Sequence, residues 1–204
     1  MLIIKIIISY LVGSISGSMV VGKFKKVDIR KMGSGNAGGT NAFRTQGTLF
    51  ALGVITIDIL KGFIATYYIG MGYGNITNLS LICGFASVLG HVYPIYYNFK
   101  GGKGAGTLIG VLLALPLPSF TIIILIVIWL IVIIITGYVS LGTILTGLAF
   151  PLYLYIFNIQ NSLMNFSILC LLLIFFTHRS NIIRMYNGNE NQFEKVMIFK
   201  KLLK

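Results

Sequence analysis

The chain alternates apolar runs with short polar stretches, and the length of each run sets its first reading. A helix needs ~20 apolar residues to cross a bilayer. Seven runs are read as crossings: residues 1–21, 48–70, 79–97, 108–117, 119–136, 143–157 and 166–177. The fourth is short and ends at Pro116 and Pro118, which predicts a broken or tilted helix followed by a tight outer turn. The seventh is also short and is expected to extend back through Met164 or forward through His178. In the first run, Gly13, Ser14, Ser16, Gly17 and Ser18 allow a neighbouring helix to approach closely. That run, with its single lysine, could be a signal peptide, but a second basic stretch follows directly, so a retained first span is expected. The expected fold is an all-α polytopic integral membrane protein of about seven transmembrane helices, forming a single membrane-embedded domain over residues 1–204.

Composition agrees with this and excludes a soluble globular domain: 56% of residues are hydrophobic, 10% are charged, and the mean hydropathy is +0.91. The balance of charge adds an orientation. Lys and Arg number 16 against 4 Asp and Glu, and the cations fall in three regions: Lys23 to Arg44, the stretch around Lys100 and Lys103, and the stretch from Arg179 to Lys204. The positive-inside rule makes all three cytoplasmic, with the N-terminus outside and the C-terminus inside. Charges divided among inter-helix loops do not suit nucleic-acid binding. Cys83 and Cys170 lie in apolar runs without metal-ligand spacing and read as small core residues. Residues 193–204 read as a weakly amphipathic basic tail on the membrane surface.

Three polar islands carry the candidate chemistry. The first is Gly33-Ser34-Gly35-Asn36-Ala37-Gly38-Gly39-Thr40-Asn41, with Arg44 following. It contains GxGxxG, but a dinucleotide site needs a βαβ unit around that pattern, which a basic loop between membrane helices does not offer. Hydroxyls, amides and a guanidinium on flexible backbone suit a small phosphorylated polyol; the alternative is a polar turn. The second runs from Gly90-His91-Val92-Tyr93-Pro94 to Asn98-Phe99-Lys100-Gly101-Gly102-Lys103-Gly104-Ala105-Gly106-Thr107. Glycines let backbone amides approach an oxyanion and lysine adds a point charge, although the loop lacks the GKS or GKT ending of a P-loop. A lone histidine such as His91 serves either as a hydrogen-bonded structural residue or as part of the site. The third is His178-Arg179-Ser180-Asn181-Ile182-Ile183-Arg184, followed by Asn187, Gly188 and Glu190. If helix continues there, His178, Asn181 and Arg184 share a face; the alternative is an interfacial anchor with Arg179 and Arg184 at lipid headgroups. Ser140, in the stretch Gly137 to Thr143, is expected at the same end of the membrane. Asp58 and Lys61, at i and i+3 in the second run, read as a structural ion pair.

Taken together, the three islands predict one cytoplasmic site, rich in cations and amides, poor in carboxylates and open to the bilayer. That arrangement suits a water-soluble phosphate compound together with a lipidic one. A transporter for a phosphorylated metabolite is the competing class. Polar islands confined to one face favour an enzyme.

These motifs, with the chain length and the number of runs, resemble the bacterial acyl-phosphate:glycerol-3-phosphate acyltransferases over nearly the whole sequence. The departures are Gly39, where the family tends to have another residue, and Gly106 inside the second motif. The resemblance implies transfer of a fatty acyl group from acyl phosphate to the 1-position of sn-glycerol 3-phosphate, giving lysophosphatidic acid and inorganic phosphate. It also implies no cofactor and no metal, a bacterial cell membrane location, and a functional link to the enzyme that forms acyl phosphate and to the second acyltransferase. By resemblance, Lys103 with the amides of Gly101, Gly102 and Gly104 holds the donor's phosphate, while Ser34, Arg44, His178 and Asn181 hold glycerol 3-phosphate. Gly33, Gly35, Asn36, Thr40, Asn41, His91, Lys100, Ser140, Arg179 and Arg184 complete the expected substrate-binding set. The HxxxxD pair of the acyl-CoA-dependent glycerolipid acyltransferases is absent, since Tyr96 stands five residues after His91 and Ile183 five after His178.

Overall fold

The computed structural model describes residues 1–71, 78–159 and 161–193. The gap between the second and third apolar runs, residues 71–78, which reads as an uncharged outer turn, and the basic tail therefore lie almost wholly outside the described residues. Within them every regular element is helical: α1 (Leu2–Gly13), α2 (Gly17–Lys25), α3 (Gly39–Gln46), α4 (Thr48–Ile64), α5 (Asn78–Val92), α6 (Ala105–Ala114), α7 (Ser119–Thr136), α8 (Val139–Ile156) and α9 (Asn161–Tyr186). Short 3-10 turns cover Ile29–Lys31 and Ile95–Tyr97, and α4 runs on as a π-helical stretch, Ala65–Met71. Many residues of α7 are β-branched, a composition that favours strand in water. In lipid a lone segment satisfies its backbone groups only as a helix, and α7 is one.

Among the described residues, five helical stretches are long and apolar enough to cross a membrane: Leu2–Lys25, Thr48–Gly70, Asn78–Tyr97, Val139–Ile156 and Ser162–Tyr186. Ala105–Ala114 and Phe120–Thr136 are shorter apolar helices. The chain divides into two compact units, Met1–Leu117 and Pro118–Lys204.

In the first unit α1 packs on α5, and α4 packs on α6. The α1–α5 approach is backbone against backbone: a Cβ on Gly13 would run into Ser87, and one on Gly90 into Tyr10 and Gly13. Below it, Ile29, Ala42, Phe50, Ala51 and Val54 form an apolar cluster that closes with Val21 and Val27, fixing α3 and the 28–38 loop to α4. The first span is broken, not continuous. Ser14 turns its hydroxyl back to the Tyr10 carbonyl at 2.9 Å, and Ser16 is extended before α2 begins. The polar stretch 23–46, expected as loop, contains α3, so Thr40, Asn41 and Arg44 stand on a helix.

In the second unit α8 packs against both α7 and α9. It starts at Val139, four residues earlier than expected, so Ser140 lies in its first turn. The last helix extends in both of the directions considered, reaching 26 residues. It ends on Gly188, whose φ of +69° reverses the chain while the Asn189 N–H donates to the Arg184 carbonyl at 2.8 Å. The reversed segment caps the end of α7: the Phe193 N–H donates to the Gly137 carbonyl at 2.8 Å, and Gln192 Nε2 to that of Thr136 at 3.2 Å.

Candidate active site

Asn41 organises the first island. Its Oδ1 accepts the Ser34 N–H at 2.9 Å, and its Nδ2 donates to the carbonyls of Ile29, Met32 and Asn36 at 2.9, 3.0 and 3.0 Å. Two amide hydrogens serve three carbonyls, so one is shared. Asn41 is 1% exposed and acts on the loop's own backbone, while Gly33, Ser34 and Gly35 stand exposed around it. Gly33 takes φ +57° beside the Asn41 amide, where a Cβ would collide with Oδ1. Thr40 and Arg44, one turn apart on α3, share a face, with Arg44 exposed; Asn36 and Thr40 are half-buried.

Arg30, which belongs to none of the three sequence motifs, joins this island to the second. Its Nε and Nη2 donate to the Asp28 carboxylate at 3.0 and 2.9 Å, and its Nη1 reaches the Tyr97 carbonyl at 3.3 Å and that of Lys100 at 3.5 Å. The hydrogen-bonded guanidinium holds the Asp28 carboxyl below its ordinary pKa, and the carboxylate in turn raises that of Arg30. The residue type alone did not single out Arg30. An isolated Asp two residues before an Arg, in a chain with four acids, was the available signal.

The glycine loop is tied to the end of α5. The amides of Gly101 and Gly102, expected to face an anion, instead donate to the carbonyls of Val92 and His91 at 3.2 and 3.1 Å. The physical reason is that the last carbonyls of a helix lack intrahelical donors, and this loop supplies them. Gly104 turns with φ +91° into α6, whose first intrahelical bond is Leu108 N–H to Gly104 O at 2.8 Å. Half-buried Lys103 therefore stands immediately before the N-terminus of α6, where backbone N–H groups converge. Lys100 is exposed.

His91 lies behind this loop in a cluster of buried charges. Lys61 Nζ is 2.8 Å from Asp58 Oδ1 and 2.8 Å from His91 Nδ1, and that nitrogen is 3.3 Å from Asp58 Oδ1. The i, i+3 ion pair expected from sequence is present; the histidine that joins it comes from another helix.

In the second unit the third island closes on Glu190. Ser140 Oγ and Asn181 Nδ2 donate to Oε1 at 3.1 and 2.7 Å, and Arg184 Nε to Oε2 at 2.7 Å. His178 and Asn181 are buried on one face of α9. His178 Nδ1 donates to the Ile174 carbonyl at 2.9 Å, which in the neutral ring leaves Nε2 as the accepting nitrogen. Arg179 points elsewhere: it is exposed, folded over the Phe176 ring at 4.3 Å, and donates to the Phe176 carbonyl at 2.8 Å. In the sequence Glu190 stands only as a neighbour of the third motif. Its partners meet it because Gly188 reverses the chain.

A family model described as glycerol-3-phosphate acyltransferase matches residues 3–188. A glycerol-3-phosphate acyltransferase of Finegoldia magna is 42% identical, over 95% of this chain and 97% of its own. That of Chlorobaculum tepidum is 39% identical, over 92% and 94%. Among solved structures, the glycerol 3-phosphate form of PlsY, an integral membrane glycerol 3-phosphate acyltransferase, superposes with a TM-score of 0.87 at 35% identity, covering 94% of this chain and 95% of its own. The lysophosphatidic acid form of PlsY gives 0.86 at 33% identity, covering 100% and 99%. The chain belongs to the glycerol-3-phosphate acyltransferase family and is an acyltransferase of the membrane-embedded kind.

Proposed function

We propose that this protein transfers a fatty acyl group from acyl phosphate to the 1-position of sn-glycerol 3-phosphate, forming lysophosphatidic acid and inorganic phosphate. In this reading residues 1–204 act as one acyltransferase domain of seven transmembrane helices in the bacterial plasma membrane. The N-terminus is outside, and the motifs and C-terminus are cytoplasmic. The enzyme carries out the first acylation of phospholipid synthesis, between the enzyme that forms acyl phosphate and the second acyltransferase. The single observation that carries the donor assignment is Lys103 standing at the N-terminus of α6, on a loop pinned to the end of α5. A cation beside the unpaired first-turn amides of a helix is a fitted environment for a phosphate dianion. The family relatives and the PlsY forms with glycerol 3-phosphate and lysophosphatidic acid support the acceptor and the product.

The chemistry asks little of the protein beyond placement. Acyl phosphate is a mixed anhydride: the acceptor's hydroxyl oxygen forms a bond to the acyl carbon, the C–O bond to phosphate breaks, and phosphate leaves with the electron pair. Two phosphate-bearing substrates repel, so cations and backbone dipoles have to hold them together. Lys103 and the α6 amides take the donor, with Gly101, Gly102 and Gly104 shaping the loop and Lys100 at its rim. Ser34, Arg44, His178 and Asn181 take glycerol 3-phosphate. Gly33, Gly35, Asn36, Thr40 and Asn41 set the first loop's form, and Ser140 and Arg184 join Asn181 through Glu190. Arg179 serves at the headgroup region. The hydroxyl proton passes to His178 Nε2 or to a phosphate oxygen of the donor.

The test is purified protein with labelled glycerol 3-phosphate and either acyl phosphate or acyl-CoA. Labelled 1-acyl product and stoichiometric phosphate are expected with acyl phosphate alone. Product from acyl-CoA without acyl phosphate sinks the donor assignment.

A further inference from the structure

Ionisable groups inside an apolar span are costly, and α4 holds two of them where an apolar pair would cross as well. The pair reaches beyond its own helix in two directions. Toward the N-terminal span, Lys61 Nζ donates to the Ile15 carbonyl at 2.7 Å, and the Gly17 N–H donates to Asp58 Oδ1 at 3.2 Å. These are backbone groups that the break between α1 and α2 leaves open, so the break and the ion pair satisfy one another. Toward the glycine loop, the imidazole of His91 turns Nδ1 to the pair. Its opposite edge, Nε2 with Cε1 and Cδ2, fills the space that a Gly102 side chain would occupy. Gly106 passes over Asp58, since a Cβ there would lie 3.4 Å from the Asp58 Cβ. The loop thus rests on the cluster on both sides of Lys103, while Asp58, Lys61 and His91 are themselves only 3%, 3% and 5% exposed.

We infer that Asp58, Lys61 and His91 are positioning residues for the donor loop: the cluster fixes the height of the Gly102 backbone, and with it where Lys103 and the α6 N-terminus stand. His91, expected among the substrate-binding residues, acts through Gly102. The inference rests on the reading above that this loop holds the phosphate of acyl phosphate. The bonds to the Ile15 carbonyl and the Gly17 N–H give the pair a structural task at the helix break, and the contact of the His91 ring with Gly102 carries its effect on to the loop.

The experiment compares Asp58→Leu/Lys61→Met, which removes both charges and strands neither, with the native full-length enzyme. KM is measured for each substrate, alongside thermal unfolding. The expected result is a folded enzyme whose KM for acyl phosphate rises about tenfold or more while that for glycerol 3-phosphate stays within about twofold, since small displacements of a binding group cost catalysis steeply. A folded double variant with native KM for both substrates overturns the inference. Should the double variant not fold, His91→Gln decides: it keeps the backbone carbonyl and a buried polar group but withdraws the ring from Gly102. A raised acyl phosphate KM supports the inference and a native one overturns it. Lys103→Ala separates the two levels. If it leaves acyl phosphate KM and turnover native, the donor-loop reading falls and the inference with it. If Lys103→Ala is impaired while the cluster variants are native, only the positioning role falls.

Discussion

Asp58 and Glu190 each gather polar groups from different elements around one buried carboxylate, yet their partners differ. Asp58 sits in the middle of a span, its side-chain partners are a lysine and a histidine, and its side chain and that of Lys61 are 4% and 3% exposed. Glu190 lies after a chain reversal with its own side chain 6% exposed, but its charged partner, Arg184, is 34% exposed. Solvent reaches no charge of the first cluster, whereas in the second it reaches Arg184. Removing Asp58 should therefore cost more stability than removing Glu190, whose loss should be felt as function as well.

The largest expected effect follows directly. Asp58→Ala leaves Lys61 charged in an apolar helix and should destabilise the protein by about 3–5 kcal/mol, the usual range for breaking a buried pair. Thermal unfolding in detergent checks it. Glu190→Ala should cost less stability than that, because solvent reaches Arg184, and should lower kcat/KM by about 2 kcal/mol equivalent, the scale of hydrogen bonds to a charged group. Its cause is that Ser140, Asn181 and Arg184 lose a common acceptor. Equal stability losses in the two variants would erase the distinction between the hubs.

Gly188→Ala sharpens the same contrast at smaller scale. At φ +69° an alanine is strained by about 1 kcal/mol, and the strain falls on the reversal that brings Glu190 back to α9. The expected outcome is a kcat/KM loss in the same direction as Glu190→Ala but smaller, with no effect on a Glu190→Ala background. Additive losses in the double variant would separate the reversal from the carboxylate.

What was legible beforehand tracks how local each cause is. Asp58 with Lys61 was readable because i, i+3 on a helix is a local rule. Helix through His178, Asn181 and Arg184 was conditionally readable for the same reason. The break at Ser14 to Ser16 was not, since the groups that satisfy its open backbone, an acceptor in Asp58 and a donor in Lys61, stand on α4, more than forty residues on. The α3 helix was hidden in glycine-rich sequence, and its stability comes from Ala42 in the apolar cluster and from Asn41 bridging the loop. The direction of the Gly101 and Gly102 amides differs from the expectation for a related reason: composition marks a flexible loop, but which carbonyls its amides meet depends on where α5 ends. Motif composition carried the family, and long-range hydrogen bonds carried the site's internal order.

Asp28 is the most exposed of the three carboxylates, and it gives the smallest expected effect. Its ion pair with Arg30 is 24% exposed on both sides, against 4% for the Asp58 side chain and 6% for that of Glu190. Because Arg30 lowers the folded pKa of Asp28 below its unfolded value, the native state binds fewer protons than the unfolded chain as that carboxyl titrates. The sign is then fixed: the pair's stabilisation is present above the unfolded pKa of about 4 and is lost as pH falls through the folded value. Partly exposed pairs contribute about 1 kcal/mol or less. Native protein should therefore exceed Asp28→Asn in unfolding free energy by that amount at pH 6, and the two curves should converge as pH drops below about 4. Salt should narrow the gap at pH 6, as screening acts on a pair that water reaches. The Asp58 pair should show no such salt dependence. A gap that persists unchanged into acid would mean that Asp28 acts through its hydrogen-bonding shape alone, holding Arg30 toward the Tyr97 carbonyl without any contribution from its charge.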